Sequence, residues 1–213
     1  MSRFHIMIIK ITGLGVIAFL ASGLTGCSSP APRVPDTHYN IEISVPPVNY
    51  GIDTTIQLSK LDMRGVQSGR ALTIISAADP IQLQEIRGHY WHSAPARLLK
   101  RTISESMDKA SQDIRFGTSA NMQDPNYNLE IDVRMFAFAP GKDAIVKMAM
   151  VLRDRQNNLV MHYMLEHSTP VTGDAPLQGV HGLQDALSQV VLDMSDKLAC
   201  HVISSKISKS SKC

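Results

Sequence analysis

The sequence predicts an α+β domain of two layers, a mostly antiparallel sheet carrying two amphipathic helices on one face. Three observations carry that prediction. Several segments alternate apolar and polar residues with period two, the mark of a half-buried strand. Residues 127–168 read as three strands joined by short turns. Each group of strands is followed by a stretch whose apolar residues fall at helical spacing.

In chain order, Tyr39, Ile41, Ile43 and Val45 alternate with Asn40, Glu42 and Ser44, a first strand stopped by Pro46-Pro47. Thr54 to Met63 and Arg70 to Ser76 give two more strand-like runs. The turn between them, Arg64 to Gly69, predicts a hairpin. Ser93 can cap a helix that has Pro95 at its second position, where the missing N–H costs nothing, and Leu98, Leu99, Thr102, Ile103 and Met107 mark its buried stripe. Leu129, Ile131, Val133 and Met135 then alternate with Glu130, Asp132 and Arg134, and the Pro140-Gly141 turn leads into the nearly continuous apolar run Ala144 to Leu152. After the polar turn Arg153 to Asn158, Leu159 to His167 returns as the third strand of a meander. Val180, Leu183, Leu187, Val190, Val191, Met194 and Leu198 place a second amphipathic helix at the end. No internal repeat is evident.

Ahead of this domain lies a leader. Arg3 and Lys10 precede an apolar run from Ile11 to Leu20, then small residues up to Cys27, the order of a secretion signal. Glycines at 13, 15, 23 and 26 interrupt the roughly 20 apolar residues that a spanning helix would need. Leu24-Thr25-Gly26-Cys27 resembles the lipobox of bacterial lipoproteins. That resemblance implies cleavage before Cys27, a diacylglycerol on its thiol and acylation of the new amino terminus. Several acyl chains hold a protein firmly, each buried methylene contributing about 0.8 kcal/mol. Ser28 follows Cys27, whereas an aspartate there would be the usual inner-membrane retention signal, so the expected address is the outer membrane, facing the periplasm. The expected divisions are residues 1–26 as signal peptide, 27–37 as lipidated cysteine and proline-rich tether, 38–203 as the domain and 204–213 as a tail.

Removing residues 1–26 takes away Arg3 and Lys10 and no acid, leaving 19 basic against 19 acidic side chains. Such a neutral chain lacks the basic excess that neutralises phosphates, so nucleic acid is excluded as an expected partner. Of three cysteines, Cys27 is assigned to lipid. Cys200 and Cys213 are left to form a disulfide in an oxidising compartment, or to remain a buried thiol and a frayed end.

Tyr90 and Trp91 stand at the entry to the first helix, flanked by His89 and His92. They can anchor a partner, as aromatic hot spots do, or plug the end of the sheet; the plug is the preferred reading. His89 and His92 have no further ligands nearby at the spacing of a closed zinc site, and His162 and Glu166 share a strand face that His167 does not. The nine methionines of the mature chain fall mostly at apolar strand positions, which reads as core before copper ligation. No nucleophile elbow, P-loop, dinucleotide-binding glycine pattern or His-Glu-x-x-His is present. The expectation is a protein that is no enzyme and needs neither metal nor cofactor.

The lipobox, the His38-Tyr39 strand, Ser68-Gly69-Arg70-Ala71-Leu72 entering a strand, Tyr90-Trp91 ahead of Pro95 and Leu98-Leu99, the strand from Tyr127 to Phe138 and the closing helix together resemble one family. It is that of the auxiliary lipoprotein components of ABC-type transport systems, which accompany mammalian-cell-entry (MCE) domain lipid transporters in Gram-negative envelopes. The resemblance covers most of residues 38–200. It implies a docking or capping role toward an MCE protein that moves phospholipid or another hydrophobic molecule between membranes, and at family level a ring or dimer. A module that itself binds a hydrophobic ligand, or a structural lipoprotein supporting another outer-membrane assembly, are the alternatives.

Overall fold

The computed structural model describes residues 35–206, with side chains through Val202. Cys27, the lipobox, residues 28–34 of the expected tether, and Cys213 with residues 207–212 lie outside the described residues. A compact unit begins at Asp36. Its elements are β1 (Thr37–Tyr39), β2 (Thr54–Met63), β3 (Ala71–Ile75), β4 (Leu83–Trp91), α1 (Pro95–Ala110), β5 (Ile114–Thr118), β6 (Tyr127–Phe138), β7 (Asp143–Asp154), β8 (Leu159–Pro170) and α2 (Pro176–Lys206).

The eight strands form one open sheet organised on β6. One edge of β6 is taken along its whole length by β7, antiparallel, from Tyr127 opposite Asp154 to Phe138 opposite Ala144. Two strands share the other edge, both parallel to it. β2 occupies Tyr127 to Val133, and β3 joins at Ile74 opposite Phe138. β5 extends the sheet beyond β2 in parallel, β4 lies antiparallel to β3, and β1 lies parallel to β4. β8, antiparallel to β7, completes the predicted meander. The longest ladders are therefore antiparallel, and the fold is α+β.

One hydrophobic cluster unites the sheet with both helices. Leu98, Leu99, Ile103 and Met107 of α1 meet it, as do Val180, Leu183, Leu187, Val190, Val191, Met194 and Leu198 of α2. Each of these side chains is at most 2 % exposed, the helical stripes having been read from their spacing. Ala144, Val146, Met148, Met150 and Leu152 contribute every second residue of β7 to the same cluster. Burying a side chain of that size stabilises the fold by about 1.5–3 kcal/mol. The opposite face of the sheet carries the charged pairs Lys60–Asp62 of β2 at 2.7 Å, Asp132–Arg134 of β6 at 2.9 Å, and Lys147 of β7 with Glu166 of β8 at 2.6 Å.

Four sequence expectations need correcting. β2 and β3 form no hairpin, because both run parallel to β6 and hence to one another. The segment between them is a spacer with a 3-10 turn at Gly65–Ser68, docked where the buried Gln67 side-chain oxygen accepts the Phe136 amide. The first strand ends at Tyr39. Its alternation persists beyond, with Ile41 2 % exposed, but the neighbour there is a helix: Thr102 and Ser106 of α1 donate their hydroxyls to the Ile41 and Ile43 carbonyls at 3.1 and 3.5 Å. Ser93 caps nothing; Ala94 is the N-cap and Pro95 the first helical residue, so one orphan N–H does not exist. Finally, β4 and β5 are strands that the pattern did not announce.

Candidate functional site

Three of the segments quoted for the family resemblance, the His38-Tyr39 strand, the Ser68–Leu72 run and Tyr90-Trp91, converge on one corner of the sheet. β1, the first element of the described chain, pairs His38 with Tyr90 and Tyr39 with Trp91. Gly88 makes this pairing possible. Its φ of +77° lies in the left-handed region, and the resulting bulge moves β4 from Ile86 opposite Leu72 to Tyr90 opposite Ala71. Beyond the bulge, Arg70 clamps the end of β4: its Nε and Nη2 both donate to the Trp91 carbonyl at 3.3 Å, and Nη2 also reaches the His92 carbonyl at 3.2 Å. In return the Trp91 amide donates to the Arg70 carbonyl at 2.6 Å, and the His92 amide to Tyr39 at 2.7 Å.

The two aromatics therefore divide their work. Trp91 is 3 % exposed, its ring 5.5 Å from that of Phe136, deep in the core. Tyr90 is half-buried, its ring 5.9 Å from the His38 imidazole. Tyr39 Oη lies 2.8 Å from His89 Nδ1, and burial pushes the Tyr39 phenol above its ordinary pKa. The accessible rim of the corner is thus Tyr90, His38 and His92, while Trp91 is withdrawn from any partner. Arg70 is the member that sequence reasoning missed as a contact: it appeared only inside the Ser68–Leu72 run, with nothing to say that it reaches residues 91 and 92.

The loop at residues 49–53 is held down rather than free. The Ile52 amide donates to Asp113 Oδ2 at 2.7 Å, and Tyr50 Oη donates to Asp196 Oδ1 of α2 at 3.1 Å. Burial and the Asp196 carboxylate push Tyr50 up to about 12. Burial opposes ionisation of Asp113, but hydrogen bonds from the Ile52 and Tyr50 amides and the Ser111 hydroxyl outweigh it and hold the carboxyl below its ordinary value.

Elsewhere His162, Glu166 and His167 are split, as the strand alternation predicts. His162 and Glu166 face outward with Glu166 paired to Lys147, whereas His167 lies across the sheet near Asp193 at 3.9 Å. Among the described residues no group of three or more His, Cys, Asp and Glu side chains could hold a metal ion. Met63, Met107, Met148, Met150, Met161 and Met194 are core residues; Met164 is 48 % exposed. Cys200 is disulfide-bonded, and Cys213, its expected partner, lies outside the described residues. No described helix is long and apolar enough to cross a membrane.

Comparison with known proteins accords with this geometry. The family description "ABC-type transport auxiliary lipoprotein component" matches residues 71–195, a span that holds β3 through most of α2. A crystal structure of a Xanthomonas campestris protein from the DUF330 family superposes with a TM-score of 0.69 at 16 % identity, over 81 % of this chain and 100 % of that one. An uncharacterized protein of known structure superposes with a TM-score of 0.66 at 10 % identity, over 78 % of this chain and 99 % of that one. At such identities the likeness is one of fold. No curated protein matches the chain significantly.

Proposed function

Because the chain belongs to the family of ABC-type transport auxiliary lipoproteins, we propose that it is anchored through Cys27 to the outer membrane and serves as a periplasmic docking component for an MCE-domain transporter of lipid. The observation that carries this reading is the corner built by β1, Arg70 and the end of β4. It fastens Thr37–Tyr39, the residues that follow the expected tether, to the sheet, so the chain enters the domain at that corner. The outer face of the sheet, with its paired charges and the exposed Met164, is then a docking surface turned away from the core. The two-layer arrangement, with both helices on one face, belongs to the same proposal and is supported by the single core that both helices enter. No chemistry is assigned to the protein beyond binding.

The alternative of a hydrophobic-ligand module needs room between helices and sheet. There the helical stripes are packed out, and the apolar void beside α1, lined by Val45, Val48, Met107 and Phe116, measures about 10 Å³. A void of that size holds about one water, not an acyl chain.

The test is a paired one. Affinity purification of the envelope-expressed protein should recover an MCE protein encoded beside an ABC permease. Cys27→Ala should leave docking in vitro intact while abolishing activity in the envelope. Full complementation by the unanchored form, or purification without any MCE protein, would overturn the reading.

A further inference from the structure

The outward side of α1 and the turn after β5 enclose an open cleft of about 360 Å³, lined by Arg97, Lys100, Arg101, Ser104, Glu105 and the turn from Thr118 to Asn121. Three cations and one carboxylate, all on α1, form one wall, and the turn forms the other. Arg97 and Arg101 stand one helical turn apart on the same face, and no ion pair among the described residues engages either. Lys100 is fixed in place. The bulge in β2 between Leu58 and Lys60 frees the Ser59 carbonyl, which accepts Lys100 Nζ at 2.8 Å and leaves two ammonium protons for the cleft.

Ser104 supplies an independent sign of a ligand. It is 6 % exposed, yet its hydroxyl makes no hydrogen bond among the described residues. A helical serine commonly bonds back to the carbonyl four residues earlier, as Ser188 does to Gln184 at 2.8 Å and Ser195 to Val191 at 2.9 Å. Ser104 does not, and no fully enclosed polar atom of the described residues lacks a partner, so its oxygen opens on the cleft it lines. Opposite it, Asn121 Oδ1 is spent on the Thr118 amide at 2.6 Å, which leaves the carboxamide nitrogen as a further donor.

We propose that this cleft binds the phosphate group of an anionic small molecule. Arg97 and Arg101 pair with its oxygens, Lys100 neutralises it from the floor, and Ser104 donates a hydrogen bond. Donors converging from several directions suit a tetrahedral oxyanion with more than one charge better than a planar carboxylate. Ala120 is the only apolar side chain in the lining, so the group is held by its charge and any acyl chain stays outside. The shared chemistry is phosphate, carried by a phospholipid headgroup or free in solution. This inference does not rest on docking to an MCE protein, and either can fail alone.

The experiment titrates the mature lipidated protein in neutral detergent, by calorimetry, with inorganic phosphate, dihexanoyl-phosphatidic acid below its micelle concentration, and dihexanoylglycerol. The two phosphate probes should saturate a single site and the phosphate-free lipid should not bind. Arg97→Gln with Arg101→Gln should weaken binding by about tenfold or more, as loss of charge-assisted hydrogen bonds does, with an unchanged melting temperature because both arginines are exposed. Ser104→Ala should weaken it severalfold. Tighter binding of phosphatidic acid than of phosphate assigns the lipid source; equal affinity assigns the free ion. Absence of saturable binding, or binding indifferent to both variants, would overturn the proposal.

Discussion

Substituting Gly179 by alanine would ordinarily strengthen a helix, by about 1 kcal/mol, because glycine loses more backbone freedom on folding. Here the opposite sign is expected. Gly179 is buried in the first turns of α2, and a Cβ built on it would lie 2.2, 2.3 and 2.4 Å from three ring carbons of Phe138. That ring has nowhere to go: Phe138 is 1 % exposed, and its backbone is paired with Ile74 on one side and Ala144 on the other. The methyl group must therefore move the helix off the sheet by about an ångström, and overpacking of this kind costs about 1–3 kcal/mol or more. Set against the propensity gain, Gly179→Ala should destabilise by about 1–2 kcal/mol, a fall in melting temperature of roughly 3–6 °C for a domain of this size. Thermal melts followed by circular dichroism read this directly. Phe138→Leu removes the clashing ring, so the double variant should be more stable than the two single losses add up to, by about 0.5 kcal/mol or more. A Gly179→Ala protein that melts above wild type, or a double variant that is simply additive, would refute the close approach of α2 to β6.

Other perturbations test separate parts of the structure. Arg70→Met, which keeps the stem and removes the donors to Trp91 and His92, should cost about 1–2 kcal/mol in urea titrations; no loss would show the clamp to be ornamental. Trp91→Ala should cost about 3–5 kcal/mol because the ring is core, whereas Tyr90→Ala should spare stability and reveal any docking at the corner through pull-down of the partner. Tyr50 has its folded pKa raised from 10.0 to about 12, so the fold favours the neutral phenol. The stability this contributes is fully present below pH 10 and is lost as the pH rises toward 12. The advantage of wild type over Tyr50→Phe in urea titrations should therefore shrink across that window; a constant gap would contradict the Asp196 contact.

The legible parts of the fold were those whose neighbours in space are neighbours in sequence. The meander over β6, β7 and β8 announced itself through alternation because each strand pairs with the next across a short turn. Both helices showed through their apolar stripes. β4 stayed hidden because its burial does not alternate and Gly88 breaks its register; β5 is five residues long and contains Gly117. The false hairpin had the same root. Parallel pairing of β2 and β3 with β6 joins residues some seventy positions apart, and such contacts leave no mark on local sequence. Tyr90 and Trp91 were visible as residue types, but their division into rim and core depends on which face of β4 each occupies. Arg97 and Arg101 carried no signal of their own, since the sequence does not show that the turn at residues 118–121 stands across from them.

The pairing of β1 also decides how the domain would bear load. A pull on the chain ahead of Asp36 arrives first at three residues, Thr37 to Tyr39, lying parallel to the end of β4. Along the strand axis it strains all three rungs together in shear; across the axis it peels them one at a time. Behind them the next fastenings are the hydroxyls of Thr102 and Ser106, then the Val48 amide on the Ala110 carbonyl and the loop held by Asp113 and Asp196, and only then does strain reach β2. Residues 36–47 could thus pay out roughly 40 Å of chain, at up to about 3.6 Å per residue, before the main sheet is disturbed. The amino-terminal segment is in that sense an extensible leash reeled onto the domain, and its reach is set by how firmly Arg70 holds the strand to which β1 is sewn.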